Sequence, residues 1–299
     1  KSGILSALFH SIDFGRWTMK FGANVWMWVS PFTTDQIELV DKVADFGYDW
    51  IEIGIEAIDQ TDWDQVGAAI KNRGLGVSVC AAMSPDRDLT LDDATANRGG
   101  IEYINHCVDV VKKLGGNLIV GPMYAAVGRT WQATANQRKT ELARASKNLQ
   151  EASKYAADNG VTLALEALNR FETSFINTTE QMLELHSMVD RPNVKIMADT
   201  FHMNIEEKKV GPAIEAIGDN LVHMHSNEND RGTPGTGHVD WEGVAKAVKK
   251  IGYDGPLVIE SFSTEVKSIA KAAAIWRPPA PSSDELAREG LAFLKKLLG

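Results

Sequence analysis

The chain has 299 residues, 31 Lys and Arg against 40 Asp and Glu, a formal net charge of −9 and 44% apolar residues. That acidic balance argues against a nucleic-acid or anionic-membrane partner, since both need a basic field, and no run of about 18 apolar residues exists to span a bilayer. Two cysteines, Cys80 and Cys107, make no disulfide framework and read as reduced thiols of a cytoplasmic protein.

Residues 1–18 precede a strand-like run that opens at Met19. They lack a basic segment followed by a clean apolar one, so they read as a non-native or disordered leader and not as a signal peptide. From Met19 onward, short apolar, β-branched runs alternate with longer segments of helical spacing. Strands are predicted over 20–26, 48–53, 76–83, 117–123, 161–168, 194–200, 221–227 and 256–262, each bounded by Gly, Asp or Asn. Helices are predicted over 34–46, 63–73, 97–114, 137–159, 179–189, 205–217, 241–251 and 284–298. Asp35 and Asp240 are expected N-caps, and Gly47, Gly115, Gly160 and Gly252 close four of the helices.

Eight strands and eight helices in strict alternation is the count of a (β/α)8 TIM barrel, one domain over 19–299. A doubly wound open sheet is the main alternative, but it usually shows a glycine fingerprint after its first strand. Met27-Trp-Val-Ser-Pro-Phe32 has none.

In such a barrel the chemistry sits at the C-terminal strand ends. Four polar residues stand there in otherwise apolar runs: Glu166, Asp199, His225 and Glu260, on strands five to eight. Three carboxylates so close repel one another unless a cation neutralises them. A set of carboxylates and one imidazole without thiolate suits Mn²⁺, Co²⁺ or Mg²⁺ better than structural Zn²⁺. Acids at strand ends often cap the next helix, but four in register make independent capping the poorer account. Glu172, His202 and Arg231 follow in the connecting loops of the same face, placed to grip a small polar ligand. A solvated acid, a helix cap and a surface cation are their bland alternatives. His223, two before His225, shares its side of the strand and is expected behind it, supporting a ligand. The run from Arg231 to His238 is rich in Gly and Thr but fits neither phosphate-loop nor dinucleotide pattern, so it reads as a tight loop. Cys80 and Cys107 read as buried small apolar groups.

With these residues in view, the chain resembles the ketose 3-epimerases (the D-tagatose/D-allulose 3-epimerase family) of the xylose isomerase-like barrels. The resemblance runs from Met19 to the last helix. Its motifs are Asp88-Leu-Thr90, Arg98-Gly-Gly-Ile-Glu-Tyr-Ile104, Ala164-Leu-Glu-Ala-Leu-Asn-Arg-Phe-Glu172, Ala198-Asp-Thr-Phe-His202, His223-Met-His-Ser-Asn-Glu-Asn-Asp-Arg231, Gly232-Thr-Pro-Gly-Thr-Gly-His-Val-Asp-Trp241 and Val258-Ile-Glu-Ser-Phe262. It implies Glu166, Asp199, His225 and Glu260 as ligands of Mn²⁺ or Co²⁺. It also implies Glu172, His202 and Arg231 as contacts to the C1–C3 end of a ketose, and a homodimer or homotetramer. Gly121-Pro-Met-Tyr-Ala-Ala-Val-Gly-Arg-Thr-Trp131 and Trp26-Met-Trp-Val-Ser-Pro-Phe32 depart from the family pattern. These loops face the distal sugar carbons, so the preferred substrate does not carry over.

The expected reaction interconverts C3 epimers of a free ketose, such as D-fructose/D-allulose or D-tagatose/D-sorbose, through a cis-enediolate. Glu166 and Glu260 act as the acid–base pair. An aldose–ketose isomerase of the hydroxypyruvate or rhamnose type is the nearest alternative, distinguished by an aldose product. A barrel nuclease would need more His ligands than seven His supply and a basic groove. A non-catalytic sugar-binding module leaves the paired carboxylates without a purpose.

Overall fold

A computed structural model describes residues 19–56 and 58–299; the expected leader, residues 1–18, lies outside the described residues. Eight parallel strands close into a barrel in chain order. They are β1 (Lys20–Asn24), β2 (Trp50–Gly54), β3 (Gly76–Cys80), β4 (Leu118–Gly121), β5 (Thr162–Glu166), β6 (Val194–Asp199), β7 (Leu221–His225) and β8 (Pro256–Ile259), and β8 pairs with β1 to complete the ring. Helices cover the outer face, so strand residues are buried on both sides. Phe21, Ile51, Ile53, Val79, Ile119, Leu163, Leu165 and Ile259 are all in the core.

The helices are α1 (Glu38–Asp45), α2 (Trp63–Arg73), α3 (Ala94–Lys113), α4 (Ala135–Asp158), α5 (Thr179–Val189), α6 (Thr200–Glu206), α7 (Val210–Ile217), α8 (Trp241–Lys250), α9 (Lys267–Ala272) and α10 (Ser283–Leu298). In α8, Trp241, Val244, Ala245 and Val248 fall at i, i+3, i+4 and i+7 and form its buried stripe. Asp240 caps that helix through the Gly243 N–H at 2.9 Å. Gly47, Gly115, Gly160 and Gly252 all take positive φ (+88°, +84°, +66° and +66°), as helix-closing glycines do.

Three expectations are corrected. Asp35 does not cap the first helical segment: Thr33 does, in a reciprocal capping box with Gln36, which satisfies two orphan N–H groups where Asp35 would satisfy one. The single helix expected over 205–217 is two. Asp199 Oδ1 accepts the Phe201 N–H (2.8 Å) and starts α6 five residues early. Glu207 then leaves the helix in extended conformation, and its Oε1 accepts the Thr179 N–H at the head of α5 (2.7 Å). Seven of the eight predicted strands also overran, because their C-terminal residues turn into the loops, whereas β2 starts two residues later than 48 and ends one after 53; after β1, Val25–Met27 form a 3₁₀ turn capped by Asn24. Helix α9 was not anticipated.

Both thiols are free and buried, and burial pushes Cys107 up to about 12. Among the described residues no helix is long and apolar enough to cross a membrane. Register sets up the barrel mouth. Asp199 pairs with His225 across β6 and β7, and His225 pairs with Val258, two residues before Glu260.

Candidate active site

Glu166, Asp199 and His225 are the last residues of β5, β6 and β7, and Glu260 directly follows β8. All four are buried. Asp199, His225 and Glu260 offer one ligand atom each within 4.8 Å of one another. Glu166 belongs to a second such group with Asp199 and His202, so Asp199 joins the two. Asp199 is also the N-cap of α6, so capping and a place at the mouth coincide in one residue.

The three loop residues also converge, although His202 lies in the first turn of α6 and not in a loop. Arg231 is only 4% exposed, which removes the surface-cation reading. Its Nη1 donates to Asp199 Oδ2 (2.8 Å) and Glu260 Oε2 (2.7 Å), and its guanidinium lies between the rings of Phe201 and Phe262. Asn169 ties the other two together: its side chain donates to Glu172 Oε1 (2.8 Å), and its backbone N–H donates to His202 Nδ1 (3.0 Å). With Nδ1 accepting, neutral His202 carries its proton on Nε2. That N–H stands 3.3 Å from Arg231 Nη2, another donor. Two such groups side by side at the cavity wall can both reach one oxygen acceptor.

Burial is the largest effect on each titrating group here. It pushes Glu166 well above the usual carboxylate range, with Asp199 and Glu260 adding to it against His225 and Arg231. Burial acts the same way on Glu260, but the facing charges of His225 and Arg231 outweigh it and hold this carboxyl below the ordinary value. Burial lowers His202 well below the imidazole range, with Arg231 adding, and keeps it neutral. Burial raises Glu172.

The donor set fits a divalent cation. His225 Nδ1 is buried without a hydrogen-bond partner among the described residues, 3.3 Å from Glu260 Oε2 and 3.9 Å from Asp199 Oδ2. A lone imidazole nitrogen facing two carboxylates, with no thiolate, is a donor set that suits a divalent cation.

Glu166, Glu172, His202, Arg231 and Glu260 line one cavity of ≈ 400 Å³. Its other walls include Trp26 from the β1 exit, Pro122 and Val127 from the β4 exit, and Arg87 stacked on Tyr103. Gly54 lets the Trp26 indole lie against β2, because a Cβ there would stand 2.3 Å from the ring.

Sequence reasoning missed three residues. Glu52, in the middle of β2, lies fully buried and accepts from His225 Nε2 (2.7 Å). Asn227 donates to Asp199 Oδ1 (3.0 Å) and accepts the Glu260 N–H (2.8 Å), joining two candidate ligands. Glu228 holds the loop that carries Arg231. Its Oε1 takes the N–H groups of Asn229 and Val239, and its Oε2 takes those of Gly235 and the Trp241 indole, at 2.8–3.1 Å. The Gly- and Thr-rich run is thus a loop folded around one buried carboxylate. Arg231 itself has φ +62°, and its carbonyl accepts the Ser261 hydroxyl (2.7 Å). Glu228→Gln turns one acceptor oxygen into an amide that faces two donors. Leaving these unmet costs about 3 kcal/mol, a melting temperature lower by roughly 6–12 °C in a domain of this size. Differential scanning calorimetry reads the loss, and an unchanged melting point contradicts the role given to Glu228.

The family model of the xylose isomerase-like TIM barrel matches residues 40–297. A ketose 3-epimerase of Arthrobacter globiformis is 33% identical over 284 residues, 94% of this chain and 97% of that protein. A solved L-ribulose 3-epimerase superposes with a TM-score of 0.89 at 30% identity, covering 94% of this chain and 95% of that one. The D-allulose 3-epimerase from Methylomonas sp., solved in complex with D-allulose, gives 0.86 at 32% identity over 93% of this chain and 96% of its own.

Proposed function

The chain belongs to the ketose 3-epimerases of the xylose isomerase-like barrels, isomerases acting at C3 of ketoses, and we propose that it works on free ketoses through a cis-enediolate. D-Fructose/D-allulose and D-tagatose/D-sorbose are the substrate pairs proposed. The observation that carries this reading is that two carboxylates from β5 and β8, Glu166 and Glu260, share one cavity wall with the convergent donors of His202 and Arg231.

Glu166, Asp199, His225 and Glu260 would hold a divalent cation, Mn²⁺ by preference. Bound there, it supplies a Lewis acid that stabilises charge developing on neighbouring ketose oxygens. The protein's own groups do the rest. The C3 proton of a ketose is weakly acidic, so its removal needs donors already in place for the enediolate oxygen. His202 Nε2–H and Arg231 Nη2 provide two such donors. Glu172, held by Asn169, orients the O1 end. One of Glu166 and Glu260 takes the C3 proton, and the other, protonated, returns one to the opposite face; the reverse reaction exchanges the roles.

The test incubates metal-stripped protein, with and without Mn²⁺, with D-fructose in D₂O and follows the sugar by NMR. Mn²⁺-dependent deuterium at C3 together with D-allulose is the expected result. Deuterium at C1 or C2 with an aldose product overturns it in favour of an aldose–ketose isomerase. Absence of exchange on fructose, tagatose and ribulose alike overturns the free-ketose assignment.

A further inference from the structure

We infer that Glu52 is a positioning residue for the cation centre, holding the His225 proton on Nε2 so that Nδ1 is the nitrogen left to ligate; this rests on the cation reading above. Glu52 lies inside the barrel on β2, 0% exposed. An ionised carboxylate only accepts hydrogen bonds, so each polar neighbour within reach of it must donate.

Asn24, Ser78 and His225 are arranged to do so. Asn24 and Ser78 are the register partners of Glu52 on β1 and β3, a polar rung across three strands. The Asn24 carbonyl oxygen is engaged by the Trp26 N–H (2.9 Å), which turns its amide nitrogen toward Glu52 Oε1 (2.8 Å). The Ser78 hydroxyl accepts from the Trp50 indole (2.9 Å) and gives its own proton to Glu52 Oε2 (2.7 Å). From β7, His223 Nε2 lies 2.8 Å from Oε2 and His225 Nε2 lies 2.7 Å from Oε1. Three hydrogen bonds, from Asn24, Ser78 and His225, therefore hold the two oxygens, with the His223 ring packed beside Oε2.

Packing alone does not call for this arrangement. A carboxylate in a barrel interior carries a large desolvation cost, and an apolar side chain of similar volume would fill the space without it. What the carboxylate adds is a choice between the two nitrogens of His225. The nitrogen at 2.7 Å from Oε1 keeps its proton, and the opposite one, Nδ1, faces Asp199 and Glu260. A carboxylate behind a ligating imidazole fixes both its tautomer and its ring orientation, and losing it lowers metal affinity roughly 10- to 100-fold.

The experiment titrates Mn²⁺ into metal-stripped wild type, Glu52→Gln and His223→Gln by calorimetry and records the melting temperature of each protein without metal. A Gln side chain keeps the volume and can still accept from Asn24 and His225, so the packing survives, but its neutral oxygen is the weaker acceptor and holds the Nε2 proton less firmly than a carboxylate does. The expected result is one Mn²⁺ per wild-type chain and a Kd raised roughly 10- to 100-fold in Glu52→Gln. His223→Gln disturbs the same buried cluster but spares the Glu52–His225 bond, and it keeps the wild-type Kd within about threefold if Glu52 acts through His225. A wild-type Kd in Glu52→Gln, or equal losses in both variants, overturns the inference and leaves the cation centre standing. Wild type that binds no Mn²⁺ overturns the centre itself. Two ions per wild-type chain overturn the positioning role, since Glu52, His223 and His225 would then form a site of their own. Should Glu52→Gln fail to fold, Glu52→Asp draws the carboxylate back from Nε2 while keeping its charge, and the same rise in Kd is expected of it.

Discussion

Replacing either Glu166 or Glu260 with Gln lowers epimerisation by about 10²- to 10⁴-fold, the range for losing a positioned acid or base. The two variants are not equivalent, and the difference is the sharper test. Inverting C3 needs a group on each face, but exchanging its proton needs a group on one face only. A variant that keeps one carboxylate can still lift the C3 proton of one epimer and return deuterium to the same side. In D₂O, each variant is therefore expected to label one epimer of the pair and not the other, with the labelled epimer opposite in the two. Because both residues are also candidate cation ligands, the metal content of each variant is measured alongside. Epimerisation within tenfold of wild type, or both epimers labelled by a fully metallated variant, rejects the acid–base assignment.

Arg231→Met lowers kcat/KM by about 10²- to 10³-fold, the usual consequence of removing a donor aimed at a developing oxyanion. It also lowers stability. The guanidinium bonds to both Asp199 and Glu260, and the carboxyls of Glu166 and Glu172 lie near enough to act on it as well. Removing one partner from a buried ion pair costs roughly 3–5 kcal/mol, on the order of 10 °C in melting temperature here. Mn²⁺ is expected to recover part of that loss, since it supplies positive charge to the same carboxylates. The variant is checked by steady-state kinetics and by thermal melts with and without the metal. A kcat/KM within threefold of wild type contradicts the role given to Arg231.

Much of this site was legible because a barrel puts its chemistry at one kind of position. Acidic and imidazole residues ending apolar runs are conspicuous, and Glu166, Asp199, His225 and Glu260 are of that type. Glu52 is not: it stands in the middle of Trp50-Ile-Glu-Ile-Gly54, flanked by apolar residues on both sides. An acid there is anomalous in a strand buried on both faces, and that anomaly was the available signal. Asn227 and Glu228 stand within the motif His223–Arg231, but what they bond to depends on β8 and on the folding back of residues 235–241, which no local pattern encodes. The division of 205–217 into two helices has the same origin, a contact from Glu207 to the distant head of α5. Local periodicity reports which face of a helix is buried; it does not report which side chain leaves the helix to satisfy another one.

The left-handed backbone of Arg231 bears on what selection can improve in this chain. A residue with a Cβ gives up roughly 1–2 kcal/mol to adopt that conformation, and glycine gives up almost nothing. Glycine at 231 would recover that strain but would leave Asp199 and Glu260 buried without their cation, a loss of roughly 3–5 kcal/mol, so the guanidinium gives the fold more than the torsion takes from it. A search for hardier variants scored only by melting temperature would therefore keep the arginine, and the reaction with it. Stability and chemistry thus hold the same side chain on a strained backbone torsion, and a more robust catalyst must find its extra stability elsewhere in the barrel.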